Sequence, residues 1–417
     1  MCKQGCALAL ALALRKIPVT VYEARPADSD VLGSGVVLTP NGLWVLDRLG
    51  VFSRIRHRSY VSTHRIFKND KDETVRTIPI ANEELYGYLN HRIWRKLLLD
   101  EMKQLLLEQG VRINYRSKYG GMISDRDDGV SFLINGDEVH ASLLIGSDGI
   151  YSNVRKHLDP DICPEYTGIV GILSHIKRAS VKWPYEDYEC NATIQGKPGA
   201  IFWMAEDPSG VDLMIGKQVQ YPQLSRDDLE ALQADKEKLV EFYRKDYDQW
   251  TSTAQSIIDS VCANKEAAYV WPFMKMPTLR QWYSDTGRVI LVGDGAHAMP
   301  PSSGQGINQA LEDVYSLTQL LSAVCDVAQT ADSMHGVDQS KLLAALAFWQ
   351  KIRQERIDAV FDFATNVVNV ERMSEAERQK ALAQGKGVNS GDMRWLFLPQ
   401  FEQQINDWVA ENLGLGH

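Results

Sequence analysis

The chain has 417 residues, 44% hydrophobic and 24% charged, with a formal net charge of −9. This length suits two or three lobes with sizeable cores, and the composition is that of a soluble globular protein. The acidic balance, with no long basic run, argues against a nucleic-acid surface. Six cysteines are scattered without a Cys-x-x-Cys pair or a partnered His. Reduced thiols in a cytoplasmic protein, with no metal centre, are therefore expected.

At the N-terminus, Lys3 and the apolar run from Ala7 to Leu14 imitate a signal peptide. Arg15 and Lys16 close that run and a strand follows over 18–23. The run is also far shorter than the ~20 residues that span a bilayer. It reads instead as a helix over 6–15, apolar all round and buried against a sheet. A short helix over 41–49 ends at Gly50, and 64–68 with 74–80 form a hairpin across Asn-Asp-Lys-Asp. The spacing of Leu97, Leu98, Met102, Leu105 and Leu106 predicts a helix over 91–109, ended by Gly110. Strands over 111–115, 121–124 and 130–134 follow. The continuous apolar stretch 141–145 reads as a strand buried on both faces.

Past Cys163 and Pro164 the chain turns rich in β-branched and aromatic residues, with one charged helix over 226–245. An antiparallel sheet is expected there, with 201–204 and 212–215 as a hairpin of one apolar face. A strand over 288–292 and two long helices, 305–324 and 341–368, come next. The polar tail from Met373 carries Trp395, Phe397, Phe401 and Trp408 and is expected to pack back onto the body.

The chemistry is concentrated in residues 287–313, Gly-Arg-Val-Ile-Leu-Val-Gly-Asp-Gly-Ala-His-Ala-Met-Pro-Pro-Ser-Ser-Gly-Gln-Gly-Ile-Asn-Gln-Ala-Leu-Glu-Asp. A buried strand leads to Asp294, a Pro/Ser/Gly loop follows, and a helix begins. Pro300, Pro301, Gly304 and Gly306 let the backbone approach something large and flat. The amides at the helix start offer fixed dipoles to an electron-rich or anionic group. Upstream, Leu-Ile-Gly-Ser-Asp-Gly runs a strand into a turn holding Asp148, and Ser152 is placed to cap the next helix. Glu23 ends a strand, where a carboxylate can accept both hydrogen bonds from a ribose.

Together these motifs resemble the FAD-dependent aromatic hydroxylases, the single-component (group A) flavoprotein monooxygenases of salicylate-hydroxylase type, from Gly5 to about Val360. The resemblance implies an α/β fold, a Rossmann-like FAD-binding lobe interrupted by an antiparallel-sheet substrate lobe, with a helical C-terminus. Residues 1–162 and 281–325 would form the FAD lobe, 163–280 the substrate lobe and 326–417 the helical region. It further implies FAD, NADPH or NADH as electron donor, and O2. The reaction would be hydroxylation or epoxidation of an aromatic or polycyclic small molecule through a hydroperoxide at the flavin C4a position.

The same resemblance puts Glu23 on the adenosine ribose, with Arg25, Gly35 and Arg92 beside the cofactor. Asp148 would lie near the pyrophosphate and Asp294 on the ribitol. Pro301, Gly304, Gly306, Ile307 and Asn308 would lie along the isoalloxazine ring. In the substrate lobe Trp203 and Met214 are pocket candidates, although core packing is the commoner role for such residues. His175 and Arg178 could orient a phenol or carboxylate. Arg353 and Arg356 match an Arg-x-x-Arg of the family, with solvated helix charges as the default reading. The sequence identifies no general base. Oxidase or halogenase chemistry on the same scaffold, or an FAD-deficient homologue, stay open. The halogenase signature Trp-x-Trp-x-Ile-Pro is not supplied by Trp271-Pro272-Phe273.

The chain departs from the family at its start. The resemblance calls for an opening strand and Gly-x-Gly-x-x-Gly, yet Met1-Cys2-Lys3-Gln4-Gly5 offers only Gly5, aligned as the third glycine. A shortened N-terminus is the favoured reading. It would leave the strands ending at Glu23 and Gly146 without a shared neighbour, and the pyrophosphate without its tight turn.

Overall fold

In a computed structural model, the described residues are 3–29, 33–327, 337–387 and 392–414. Met1 and Cys2 of the opening segment lie outside them, as do residues 328–336, next to the boundary expected after 325. The strands of the first part are β1 (Thr20–Glu23), β2 (Gly35–Leu38), β3 (Tyr60–Ser62), β4 (His64–Lys68), β5 (Thr74–Pro79) and β6 (Asn90–Trp94). They continue with β7 (Arg112–Tyr115), β8 (Tyr119–Arg126), β9 (Gly129–Ile134), β10 (Asp137–Ala141) and β11 (Leu144–Gly146). The middle part holds β12 (Glu165–Lys177), β13 (Asn191–Gly196), β14 (Gly199–Ala205), β15 (Asp212–Gln220) and β16 (Tyr269–Lys275). β17 (Val289–Leu291) returns the chain to the first part.

The uniformly apolar first helix, Lys3–Leu14, is buried at every position from Cys6 to Leu12. It packs on the helices Arg95–Glu108 and Gly306–Val327, which makes it the centre of the larger core. Around it stand two parallel strand pairs, β1 with β7 and β11 with β17. β1 and β11 share no neighbour among the described strands. Their open edges line one cavity instead.

The middle sheet has the order β16-β12-β15-β14-β13-β4-β5. The hairpin expected at 64–80 forms and extends this sheet, because β4 pairs in parallel with β13. In the β14–β15 pair Trp203 lies opposite Ile215 and Met204 opposite Met214. Side chains alternate along a strand. Ile201, Trp203, Leu213 and Ile215 therefore pack against helices, while Phe202, Met204 and Met214 face the cavity.

Three expected elements differ. The helix predicted over 91–109 begins only at Arg95. Residues 90–94 are β6, the central strand between β2 and β3, since the helical apolar spacing starts at Leu97 and never covered them. The strand predicted over 141–145 is divided between the end of β10 and β11. β11 is only partly covered because its free edge faces the cavity. The charged helix predicted over 226–245 is two helices, Arg226–Ala234 and Lys236–Arg244, broken at Asp235, whose side chain accepts the Lys238 N–H. A further helix, Ser252–Ala263, completes the cover of the sheet.

After the Gly306–Val327 helix, the Gln339–Phe363 helix runs into a π-type turn at Ala364–Val368 and a short turn at Val370–Arg372. The tail does pack back. In the Phe401–Leu413 helix, Phe401 meets Trp44 and Tyr315, and Trp408 stacks on Phe348 at 5.3 Å. Among the described residues, no helix is long and apolar enough to cross a membrane.

Candidate cofactor and substrate site

A single cavity of about 1490 Å3 runs from the ends of β1 and β11, past Asp294, to the inner face of the middle sheet. It exceeds the ~300–1,000 Å3 usual for one small ligand, which leaves room for a dinucleotide and a second molecule. Part of that space is the slot between β1 and β11.

Asp294 follows Gly293, whose φ of 58° only glycine adopts readily. A Cβ on Gly293 would also lie 1.9 Å from Gln4 Oε1, so this turn presses directly on the first helix. The Asp294 carboxylate lies open to the cavity, while Gly295, Ala296 and His297 behind it are buried, and it takes no hydrogen bond from a described residue. Burial raises its pKa, against the pull of His297, Lys3 and Arg95. Downstream, Pro301–Ser303 and Gly304, itself left-handed at φ 67°, carry the chain along the cavity wall to the helix start at Gly306 and Ile307.

Asn308 is not in the cavity wall. Its side chain is fully buried, accepting the Thr39 N–H at 3.1 Å and donating to the Val37 and Gly304 carbonyls at 3.1 and 2.8 Å. It fastens the loop to β2 and does not touch the cavity surface.

Glu23 lines the cavity at the end of β1 and accepts the Arg25 N–H at 2.9 Å, with the exposed Arg25 side chain 3.9 Å away. Asp148 also lines it. Its Oδ2 accepts the Asn153 and Val154 N–H groups at 2.7 and 3.3 Å, which fixes the turn after β11. Gly5 lies inside the first helix rather than in a turn, with a Cβ position 3.3 Å from Ser147 Oγ.

Arg92 is placed differently from the expectation of a helix-start guanidinium. It projects from β6 and pairs with Glu206 just past β14, NH2 to Oε1 at 2.7 Å and Nε to Oε2 at 3.1 Å. His175 Nε2 stands 3.0 Å from the same carboxylate and its ring packs against Trp94 and Tyr269. Burial pushes the Glu206 pKa up, but Arg92 and the His175 hydrogen bond outweigh it and hold the carboxyl at about 2. Gly35 lines the cavity beside this pair; a Cβ there would fall 1.9 Å from Glu206 Oε2. The residue at the helix start is Arg95, which lies over the Trp271 ring at 4.8 Å and lines the cavity. Burial lowers its pKa, and Asp294 is among the acids that partly offset this.

Of the substrate candidates, Met214 lines the cavity and also contacts Arg92 at 3.3 Å. Trp203 does not. It is fully buried on the opposite face, its ring stacked on Tyr188 and its Nε1 donating to the Glu189 carbonyl at 2.6 Å. His175 orients Glu206 and is not part of the cavity wall. Arg178 donates to the Glu186 and Tyr188 carbonyls at 2.9 and 2.7 Å, away from the cavity. Arg353 and Arg356 are not solvated charges. Arg353 is buried, bonded to Glu312 at 2.5 Å, Asp313 at 2.8 Å and Gln309, while Arg356 shares Glu312. Asp313 in turn accepts the Gly293 N–H at 2.8 Å and meets His297 at 2.6 Å, so this network holds the Asp294 turn from behind.

Sequence reading missed Arg95, Glu206 and the burial of Arg353. Arg95 precedes the periodic run that defines its helix. Glu206 has the same parity as Phe202 and Met204. Arg353 falls in the stripe of Trp349, Ile357 and Val360.

The residues present fit FAD. Among the described residues, Gln4 Nε2, Ser147 Oγ and Ser302 Oγ are buried without a hydrogen-bond partner, and all three residues line the cavity with Asp294, which also lacks one. Native proteins seldom leave such atoms unsatisfied unless a ligand or water completes them. Lys3 and the start of the first helix supply positive potential where a pyrophosphate would lie.

The fold and this cavity define an α/β protein of FAD-binding type with a second, mostly antiparallel sheet. The chain belongs to the FAD binding domain family, whose model matches residues 3–335. It is 24% identical over 364 residues to the FAD-dependent monooxygenase OpS4 of Beauveria bassiana, covering 85% of this chain and 80% of that one. It is 26% identical over 370 residues to the FAD-dependent monooxygenase janM of Penicillium janthinellum, covering 86% and 73%. Among solved structures, CtdE in complex with FAD and a substrate matches with a TM-score of 0.78 at 16% identity, over 100% of this chain and 98% of that one. Klebsiella pneumoniae HpxO complexed with FAD and uric acid matches at 0.72 and 19%, over 99% and 94%. These two likenesses concern the fold.

Proposed function

We propose that the protein is an FAD-dependent monooxygenase that takes electrons from NADPH or NADH and transfers one atom of O2 to an aromatic or polycyclic small molecule. The observation that carries this is one continuous cavity that runs from polar groups suited to a dinucleotide to the middle sheet, where Phe202, Met204, Met214 and Phe273 offer apolar surface. Bound FAD would supply the electron transfer and oxygen activation. The chain's own part is binding, orientation and exclusion of water. Glu23 would accept the ribose hydroxyls and Asp294 a ribitol hydroxyl. Arg95 and the first turn of the Gly306–Val327 helix would stabilise negative charge on the bound ring. Arg92 is committed to Glu206 and is proposed to shape the wall. Phe202, Met204, Met214 and Phe273 would keep the reacting end dry.

The test is to reconstitute the purified chain with FAD and follow NADPH and NADH oxidation, O2 uptake and product mass against a panel of aromatic and polycyclic compounds. A product heavier by one oxygen atom, labelled from 18O2, is expected. Stoichiometric hydrogen peroxide with no oxygenated product from any member would favour oxidase chemistry and overturn the proposal.

A further inference from the structure

At the sheet end of the cavity one aromatic side chain is held on both faces. Phe202 lines the cavity from β14 and stands directly opposite Gly216 on β15. A Cβ on Gly216 would come 2.1 Å from the far end of the Phe202 ring, with further ring atoms at 2.6 and 2.7 Å. The φ of Gly216 lies outside the left-handed region, so its backbone does not call for glycine. The ring does. It lies down on the strand where any side chain would stand, the close approach that glycine in a strand interior marks. Over the other face sits Arg372, on the turn Val370–Arg372 after the long Gln339–Phe363 helix, its guanidinium carbon 4.6 Å from the ring centre.

The turn that carries this guanidinium is fixed to the sheet. Glu371 takes Arg65 at 3.5 Å and Arg76 at 3.3 Å, both from the β4–β5 hairpin, and its carbonyl accepts the Gln195 side-chain amide from β13. With Glu371 so engaged, Arg372 rests on the ring face, where a cation and the ring quadrupole attract. Strand, ring and guanidinium thus form a layered stack drawn from β15, β14 and the C-terminal turn. The other cavity-facing side chains of this pair, Met204 and Met214, are unbranched thioethers that bend to fit a neighbour. Phe202, closed in from below and above, has no such freedom.

We propose that this stack is a stop that sets how long a substrate the cavity accepts. An apolar chain or fused ring entering from the Asp294 side gains contact until it meets Phe202 and Arg372, and no further. Phe202 is then a specificity-determining residue, and Gly216 and Arg372 are the residues that position it. The inference rests on the monooxygenase reading for the word substrate.

The probes are 4-alkylphenols of increasing chain length, from ethyl to decyl, with binding measured calorimetrically on the chain with and without added FAD. Affinity is expected to rise about three- to fourfold per methylene and then to level off at one chain length. Phe202→Ala should move that limit to longer chains by about two methylenes, and Arg372→Ala should move it the same way. Arg372→Lys keeps a cation on the ring and should leave the limit in place. Gly216→Ala lifts the ring and should move the limit to shorter chains by about one methylene or more. Combined with Phe202→Ala it should do nothing, because the nearest atoms its Cβ would meet all belong to the ring. A general loss of packing would not move one limit in opposite directions. Should Gly216→Ala not fold, the Phe202 and Arg372 variants decide. Affinity that climbs without a limit, a limit that neither Phe202→Ala nor Arg372→Ala moves, or binding of none of the series overturns the stop. So does a Gly216→Ala shift that persists without the ring. FAD binding and oxygen transfer with no such limit would sink the stop alone. A limit that moves as expected in a chain that neither binds FAD nor oxidises NAD(P)H would sink the flavin reading alone.

Discussion

Replacing Asp294 with alanine removes a carboxylate that faces the cavity with no described partner. A charge-assisted hydrogen bond is worth ~1.5–3 kcal/mol, so FAD affinity should fall about ten- to a hundredfold in a fluorescence titration. FMN should lose as much, because the ribitol is common to both, whereas Glu23→Ala should weaken FAD and spare FMN. Unchanged FAD affinity in Asp294→Ala would remove it from the ribitol. The Arg92–Glu206 pair makes a different kind of claim. Glu206→Gln strands a buried guanidinium and should cost ~3–5 kcal/mol in urea unfolding, while Arg92→Met with Glu206→Leu should recover most of it. The sign with pH follows from a folded pKa of about 2 against the ordinary 4.5. The stabilisation is full above 4.5 and is lost as pH falls through about 2, so the gap between wild type and Glu206→Gln should close on acidification. What could be read at this scale was chemical type. Asp294, Glu23 and Asp148 announce themselves by ending strands in small-residue turns. Trp203 and Met214 were both pocket candidates through the resemblance, with core packing the commoner role by composition; period-two alternation and the β14–β15 register put them on opposite faces, Trp203 in the core and Met214 at the cavity.

At the scale of elements, the long helix Gln339–Phe363 shows how a charge can sit in a core. Arg353 occupies a position of the buried stripe, one turn from Trp349 and from Ile357. Burial holds Glu312 and Asp313 up in pKa, but the arginines and, for Asp313, His297 outweigh it and keep both ionised. Arg353→Met should therefore cost ~3–5 kcal/mol and, by loosening Asp313, weaken FAD as well. Thermal unfolding and flavin titration of the same variant check both; a surface-like loss below ~0.5 kcal/mol would contradict the network. Strongly periodic helices and the apolar hairpin were legible because one face is buried. The β6-to-helix boundary was not, since His-Arg-Ile-Trp suits a central strand and a helix start equally until its partners β2 and β3 are known. Arg95 was lost with that boundary, because the guanidinium at a helix start depends on where the helix starts.

For the whole molecule, the order of strands, loops and helices carried the fold class, and the FAD family match agrees with it. The extent of the middle sheet was less visible, because its last two strands come from residues 64–79 through a parallel pairing that no local pattern announces. The two parallel pairs, β1–β7 and β11–β17, are joined through the first helix and the core, without a ladder between them among the described strands. Two bodies so coupled should open independently. Amide hydrogen exchange should then show β1 and β11 with separate, modest protection in the flavin-free chain, each set by its own local opening. A dinucleotide touching Glu23 at one end and Asp294 beyond β17 at the other would tie the two bodies, and added FAD should slow exchange in both together, by a factor that grows with its concentration over Kd. Protection rising in one pair alone would mean that the ligand does not bridge them. Here a bound dinucleotide would itself act as a crosspiece between the two pairs, making rigidity a property of the loaded protein.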